Sequence, residues 1–234
     1  MKLNGEKKVE ISELLGKWTT FANPYSYYLL KNNSLNERFD FIFADGSLLV
    51  YLYNFILSIN GKAKSCKIKR YSFDFSSLAE DFFIFSKKNN IKIAIVGGCK
   101  DEIEKTVSVI ESKYSVNIVY YRDGFFELND KHIYAQMCNA DIDFLISSMG
   151  TPRQEEFLLR VKDLCPNISS GITCGGFVTQ TAVKPDYYHP IVKKLGLRWL
   201  QRAIEFRHVR KRLLNDYPLF VFHFLYENLI CSRK

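Results

Sequence analysis

The sequence predicts an α/β fold: a Rossmann-like, mostly parallel sheet flanked by helices, with a helical, basic C-terminal appendage. Three observations carry this reading. Short apolar runs of strand length alternate with stretches of helical periodicity, the rhythm of a layered α/β domain. Several of those runs end in Asp or Gly loops that open directly onto a helix, as parallel strands with crossover helices do. Beyond Pro190 the alternation stops and only helical patterns remain, dense in arginine and aromatic residues. A boundary is therefore placed near 188–190, giving an α/β domain over 1–189 and an appendage over 190–234.

Taken in order, DFIFAD (40–45) reads as a short buried strand, and SLLVYLYNFILS (47–58) as the helix after an Asp-Gly turn. CKIKRYSFD (66–74) reads as a strand, followed by the helix SLAEDFFIFSKK, for which Ser76 or Ser77 can serve as cap. IKIAIVGG (91–98) is the clearest strand. It runs into DEIEKTVSVIESKY, where Ile103, Val107 and Ile110 share a face and acids crowd the first turn, complementing the helix dipole. VNIVYY (116–121) and DFLISSMG (143–150) are strands around a helix near DKHIYAQMCNA. In TPRQEEFLLRVKDL, Thr151 suits an N-cap, Pro152 the first helical position, and Phe157, Leu158, Val161 and Leu164 the buried stripe. ISSGITCGG (168–176) closes the sheet on two glycines.

Composition narrows the function classes. The 234 residues suffice for one large domain with a sizeable core, and the 47% hydrophobic and 25% charged content is that of a globular chain rather than a disordered one. The N-terminus lacks the apolar stretch of a signal peptide, and no run reaches the ~20 apolar residues of a spanning helix. A cytoplasmic location is expected. The six cysteines form no CxxC pair and the four histidines no ligand-spaced cluster, so the thiols are expected to be reduced and mostly buried, with no structural metal. Of the net charge of +8, +7 falls from position 190 onward, ten basic residues against three acidic ones. Such a block is a solvated helix face or the footprint of a polyanion, lipid or nucleic acid.

In open parallel sheets ligands sit outside the carboxyl ends of the strands. Four loops fall there: ADG (44–46), VGGC (96–99), MGTPRQE (149–155) and CGGF (174–177). Each has two local readings. VGG is a tight turn or a phosphate site at a helix N-terminus, without the full GxGxxG spacing. Gln154, three residues after Thr151, either completes a capping box or, with Arg153, contacts a nucleotide-linked ligand. Asp45 is the first residue of an Asp-Gly turn or a general base on a substrate hydroxyl, and the spacing alone favours the turn.

The order of the motifs says more than each alone. FANPYSYYL, FADGSLLV, KRYSFD, IVGG, LISSMGTPRQEEFL, TCGGF and KLGLRWLQRAIEF follow one another as in the bacterial WecG/TagA/CpsF glycosyltransferases, glycosyltransferase family 26, which the chain resembles over about positions 18 to 218. The resemblance implies metal-independent, inverting transfer of a hexose from a UDP-sugar to a saccharide on a polyprenyl diphosphate, in cell-surface polysaccharide synthesis. The UDP-sugar is a substrate, and no cofactor is implied. By the same resemblance Asp45 is the general base and Arg70 stabilises the diphosphate leaving group. Asn23 lies near the sugar, Gln154 near the nucleotide, and Gly97, Gly98, Gly175 and Gly176 line the cleft.

The tail departs from the family pattern: Arg198 replaces an acid, Phe206 a proline, and KPDYYHP stands where RAP is usual, with Lys184 as the nearest cation. The arginines facing the acceptor diphosphate are accordingly sought among Arg202, Arg207, Arg210 and Arg212. PLFVFHFLYENLI (218–230) is either a core helix beside a basic face or an interfacial element. In the second reading Phe220, Phe222, Phe224 and Tyr226 meet acyl chains or the catalytic domain, and Arg207, Arg210, Lys211 and Arg212 meet anionic head groups. The partners expected are thus a UDP-sugar, the lipid-linked saccharide and the inner face of the plasma membrane. Nucleic acid is not expected, and a homo-oligomer is compatible with the sequence. Two other classes stay open at this stage. A nucleic-acid binder would use the basic tail, and an oxidoreductase would need the dinucleotide fingerprint that VGGCKDE does not supply.

Overall fold

The computed structural model describes residues 1–61, 66–184, 192, 198–205 and 207–230, without the side chains of Arg198, Trp199, Arg202 and His208. Six strands form one all-parallel sheet in the order β2-β1-β6-β5-β3-β4: β1 Trp18–Ala22, β2 Phe41–Ala44, β3 Lys92–Gly97, β4 Asn117–Arg122, β5 Phe144–Ser148 and β6 Ser170–Thr173. Helices α1 (Ser26–Asn32), α2 (Ser47–Ile59), α5 (Lys131–Asn139) and α6 (Arg153–Leu164) pack on one face through Leu30, Leu49, Leu52, Met137, Phe157 and Leu158. On the other face α3 (Ala79–Lys88), α4 (Lys100–Tyr114) and α7 (Phe177–Val183) contribute Phe82, Phe83, Ile103, Ile110 and Phe177. The period-2 alternation of the strands feeds both cores: Ala94 and Val96 point to the first, Ile93 and Ile95 to the second. Because all strands run the same way, all their carboxyl ends open on one edge.

Several expectations need correction. The segment 66–74 is not a strand: it touches the sheet edge at a single bridge, Ala44 to Arg70, and otherwise follows an irregular path. Neither Ser76 nor Ser77 caps α3. Ser76 is tied to Asp74, whose Oδ1 accepts from the Ser76 N–H at 2.8 Å, and Ser77 Oγ accepts from the Ser72 N–H. Thr151 is not the N-cap of α6. The helix begins at Arg153 after a cis Thr151-Pro152 peptide, and the Thr151 hydroxyl turns inward to the Glu155 carboxylate at 3.0 Å. The thiols are not all reduced, since Cys138 and Cys165 form a disulfide. Neighbouring crossover helices of a parallel sheet run the same way, so the C-terminal ends of α5 and α6 meet, which spacing in the sequence does not reveal. Nor are the thiols mostly buried: Cys165 is buried, Cys66, Cys138 and Cys174 are half-buried and Cys99 is exposed. Cys231 and the boundary near 188–190 lie outside the described residues.

The sequence reading also passed over β1. Its five residues, WTTFA, are all buried, but two threonines break the apolar run that marks an interior strand. The tail forms α8 (Arg198–Glu205) and α9 (Arg207–Leu225), the latter passing through Pro218 and ending in a π-helical turn, Tyr226–Ile230. Phe220 and Phe224 set edge-on against Tyr27 of α1, with ring centroids 5.6 and 5.5 Å away. Burying each ring is worth roughly 2 kcal/mol. Glu227 adds an ion pair to Lys31 and accepts from the Tyr28 hydroxyl at 3.0 Å, so the tail is clamped to α1. Phe222 and Tyr226 lie on the opposite side, 67% and 50% exposed and stacked on each other. Among the described residues no helix is long and apolar enough to cross a membrane.

Candidate active site

A cleft of about 1150 Å³ opens along the carboxyl edge of the sheet. Its walls come from the loops after β1, β2, β3, β4, β5 and β6, and Arg212 of α9 reaches it from the tail. Asn23, Asp45, Gly98, Gln154, Gly175 and Gly176, all singled out by the sequence, line it together, although up to 153 positions separate them.

Asp45 follows β2, its N–H bonded to the Ala22 carbonyl at 2.7 Å. Gly46 takes the turn: its φ of +146° and a Pro24 Cδ 3.3 Å from where a Cβ would stand leave room for glycine alone. The Asp45 side chain is thereby released from the turn and meets Arg70, Nη2 to Oδ1 at 2.7 Å. Arg70 also lies 3.7 Å from Asp74 Oδ2, and Asp74 lines the same cleft. Both members of the Asp45–Arg70 pair are partly exposed, at 29% and 24%, but only Asp45 lines the cleft; Arg70, expected at the leaving diphosphate, meets the cleft through Asp45.

Asn23 is at the cleft, but its side-chain oxygen is occupied: it accepts from the Tyr25 and Ser26 N–H groups, each at 3.0 Å, and so caps α1. Gln154 does not complete a capping box, and it lines the cleft. It is 3% exposed, and its Oε1 accepts from the Gly175 N–H at 3.0 Å, joining the loop before α6 to the glycine loop after β6. Arg153, its neighbour, donates to the Gly124 and Phe126 carbonyls and lies over the Phe126 ring, bracing the loop after β4. The tight-turn reading of VGG fits the bonds made: the Gly98 N–H is taken by the Ser148 carbonyl and the Cys99 N–H by Glu102 Oε2. Gly97 does not line the cleft. A Cβ there would stand 2.2 Å from the Ser148 carbonyl oxygen, so its absence lets β3 and β5 close together.

Glu155 was not singled out by sequence. It is fully buried at the head of α6, and its Oε1 accepts from Thr20, Thr151 and Gln154; among the described residues no cation is in contact with it and Oε2 has no partner. Burial pushes the carboxyl up to about 7 against the pull of those hydrogen bonds. A glutamate after Gln154 in the first turn of a helix looks in sequence like an ordinary exposed dipole partner.

The tail arginines separate by role. Arg212 lies over the Tyr25 ring, 3.8 Å from its centroid, at the cleft wall. Arg210 donates to the Ala203 and Ile204 carbonyls at 3.0 and 2.8 Å and so closes the end of α8. Arg207 is exposed on α9, Lys184 is exposed after α7, and the Arg202 side chain lies outside the described residues. Among the described residues no group of three or more His, Cys, Asp or Glu side chains is placed to hold a metal ion.

Fold and cleft define an α/β protein with a cleft along the carboxyl edge of a parallel sheet, lined by an aspartate, Asp45, that is paired with Arg70. The family model described as the glycosyl transferase WecG/TagA/CpsF family matches residues 9–234, and the chain belongs to that family: it is a glycosyltransferase, as its motifs imply. It is also 42% identical, over 213 residues, to a UDP-Gal:alpha-D-GlcNAc-diphosphoundecaprenol beta-1,4-galactosyltransferase of Shigella boydii, an alignment covering 90% of this chain and 86% of the relative.

Proposed function

We propose that this glycosyltransferase moves a hexose, galactose in the first instance, from its UDP-sugar to N-acetylglucosamine on a polyprenyl diphosphate, with inversion and without a metal. The observation that supports the mechanism is Asp45 at the cleft wall, ion-paired with Arg70. The donor and acceptor are taken from the relative's activity. Asp45 accepts the proton of the acceptor hydroxyl as that oxygen attacks the anomeric carbon, and the bond from that carbon to the UDP oxygen breaks with its electron pair going to UDP. Arg70 orients the Asp45 carboxylate, and its positive charge stabilises the diphosphate as it departs. Arg212 supplies positive charge from the tail side, where an acceptor diphosphate would lie.

The chain works at the inner face of the plasma membrane, where α9 and the π-helical turn after it present Leu219, Phe222 and Tyr226 to the lipid beside Arg207 and Lys211. Domain division follows the same line, with 1–189 holding the donor and 190–234 meeting the acceptor and the membrane. The test is to incubate the protein with a panel of UDP-sugars and N-acetylglucosaminyl diphosphoundecaprenol, then determine product mass and anomeric configuration. A β-galactosyl product is expected. Transfer from another UDP-hexose alone would overturn the donor, and retention of the anomeric configuration would overturn the single-base mechanism.

A further inference from the structure

We propose that Glu155 is a positioning residue for donor binding, a buried acceptor that fixes the direction of the Thr20, Thr151, Thr173 and Gln154 hydrogen bonds in the cleft wall between β1, β5 and β6. It touches no substrate: Thr151, Gln154, Thr173 and Gly175 line the cleft and Glu155 lies behind them. A carboxylate only accepts, so the Thr20 and Thr151 hydroxyls, at 3.0 Å each, and Gln154 Nε2, at 2.9 Å, must all turn their protons toward Glu155 Oε1. Thr20 having spent its proton, the 2.9 Å contact with Thr173 is donated by Thr173.

Gln154 is fixed in the same way. With its NH₂ held by Glu155, its oxygen faces the Gly175 N–H, while the Gly175 carbonyl accepts from Ser148 Oγ at 2.6 Å. Gly175, at φ +58°, is thus held from both sides, with its carboxylate-directed partner two bonds away in the network. A neutral acid would carry its proton on Oε2, where no acceptor stands, or would turn a donor toward three donors. The wall is therefore well ordered with Glu155 ionised and disturbed with it protonated, and its carboxyl, pushed up to about 7, changes state near neutrality.

The groups facing Glu155 from β1, β6 and the loop before α6 are Thr20, Thr173, Thr151 and Gln154, none of them charged. The nearest titratable neighbours along those elements have other surroundings. Arg153 bonds to backbone carbonyls, Glu156 is half-buried on α6, and Cys174 gives its proton to the Ser147 carbonyl with its thiol pushed up by burial.

This rests on the donor-binding reading of the cleft, and the experiment separates the two. UDP binding to the full chain is measured by calorimetry from pH 5.5 to 8.5 for wild type, Glu155→Gln, Glu155→Ala and Thr20→Val, each checked for a cooperative melt. Wild type is expected to bind UDP more tightly above pH 7 than below, relative to the Gln variant measured alongside. Glu155→Ala should weaken binding tenfold or more at pH 8, and Glu155→Gln, neutral like the protonated acid, should bind at pH 8 as wild type does below pH 7 and lose the extra pH dependence. Thr20→Val removes one hydrogen bond from the ionised form and should move the midpoint of that dependence upward. Wild-type affinity in Glu155→Ala, or an unchanged pH dependence in Glu155→Gln, would overturn the positioning role alone. Should Glu155→Ala fail to fold, an unmoved midpoint in Thr20→Val overturns it equally. Failure of wild type to bind UDP would overturn the donor reading and this inference with it.

Discussion

Two carboxylates stand at the same edge of the sheet and are handled in opposite ways. Asp45, at the end of β2, is partly exposed and paired with a guanidinium at 2.7 Å. Glu155, at the head of α6, is fully buried and is met by hydroxyl and amide dipoles, with no cation in contact among the described residues. An aspartate that must exchange a proton with a substrate needs access and a counter-charge that holds its direction. A glutamate that must organise a wall needs neighbours that can only donate. The difference shows that position in the solvent gradient, more than residue type, assigns the chemistry of a carboxyl group.

Breaking the first half of that comparison should have the largest effect. Asp45→Asn keeps the shape and removes the base, so transfer should fall about 10³-fold, ~4 kcal/mol in the barrier, while UDP binding measured by calorimetry persists. Wild-type turnover by this variant would remove Asp45 from the mechanism. The second half is read through stability. A carboxyl raised from 4.5 to about 7 favours folding fully below pH 4.5, and that contribution is lost as pH rises to about 7. Relative to Glu155→Gln, wild type should lose about 3 kcal/mol of unfolding free energy between pH 4.5 and 8, measured by urea titration at each pH. Parallel curves would mean that Glu155 does not titrate in this range.

Smaller effects sharpen the contrast. Arg70→Lys keeps a charge but loses the fork that orients Asp45, and should cost about 30-fold in kcat, ~2 kcal/mol, with little change in the melting temperature. Arg212→Ala, at the tail wall of the cleft, should raise KM for the lipid-linked acceptor about tenfold, ~1.4 kcal/mol, and leave UDP binding unchanged. Equal losses for donor and acceptor would place Arg212 in the nucleotide half of the cleft.

Much of this was legible in the chain. The β3, β4, β5 and β6 runs, the acidic first turn of α4 and the split character of the tail all follow from periodicity and charge. The misses have physical causes. β1 hides because Thr20 finds its partners in Glu155 and Thr173, residues more than a hundred positions away, so a polar residue can sit in an interior strand. The 66–74 segment reads as a strand because its side chains alternate. Beyond the β2 edge, however, only Arg70 meets a strand neighbour, and that single bridge brings Arg70 to Asp45.

The sequence by itself determined the fold class, the family and the set of loops at the cleft, because strand and helix periods and the order of motifs are local properties of the chain. Tertiary structure decided what each group in those loops does. Asp45 left its turn to Gly46 and met Arg70, Gln154 bridged Glu155 of its own helix to Gly175, and Glu155 passed from a surface-like position to a buried acceptor. A carboxyl or amide acquires its role from the partners and the solvent around it, and the parallel sheet brings those partners from distant parts of the chain to one edge.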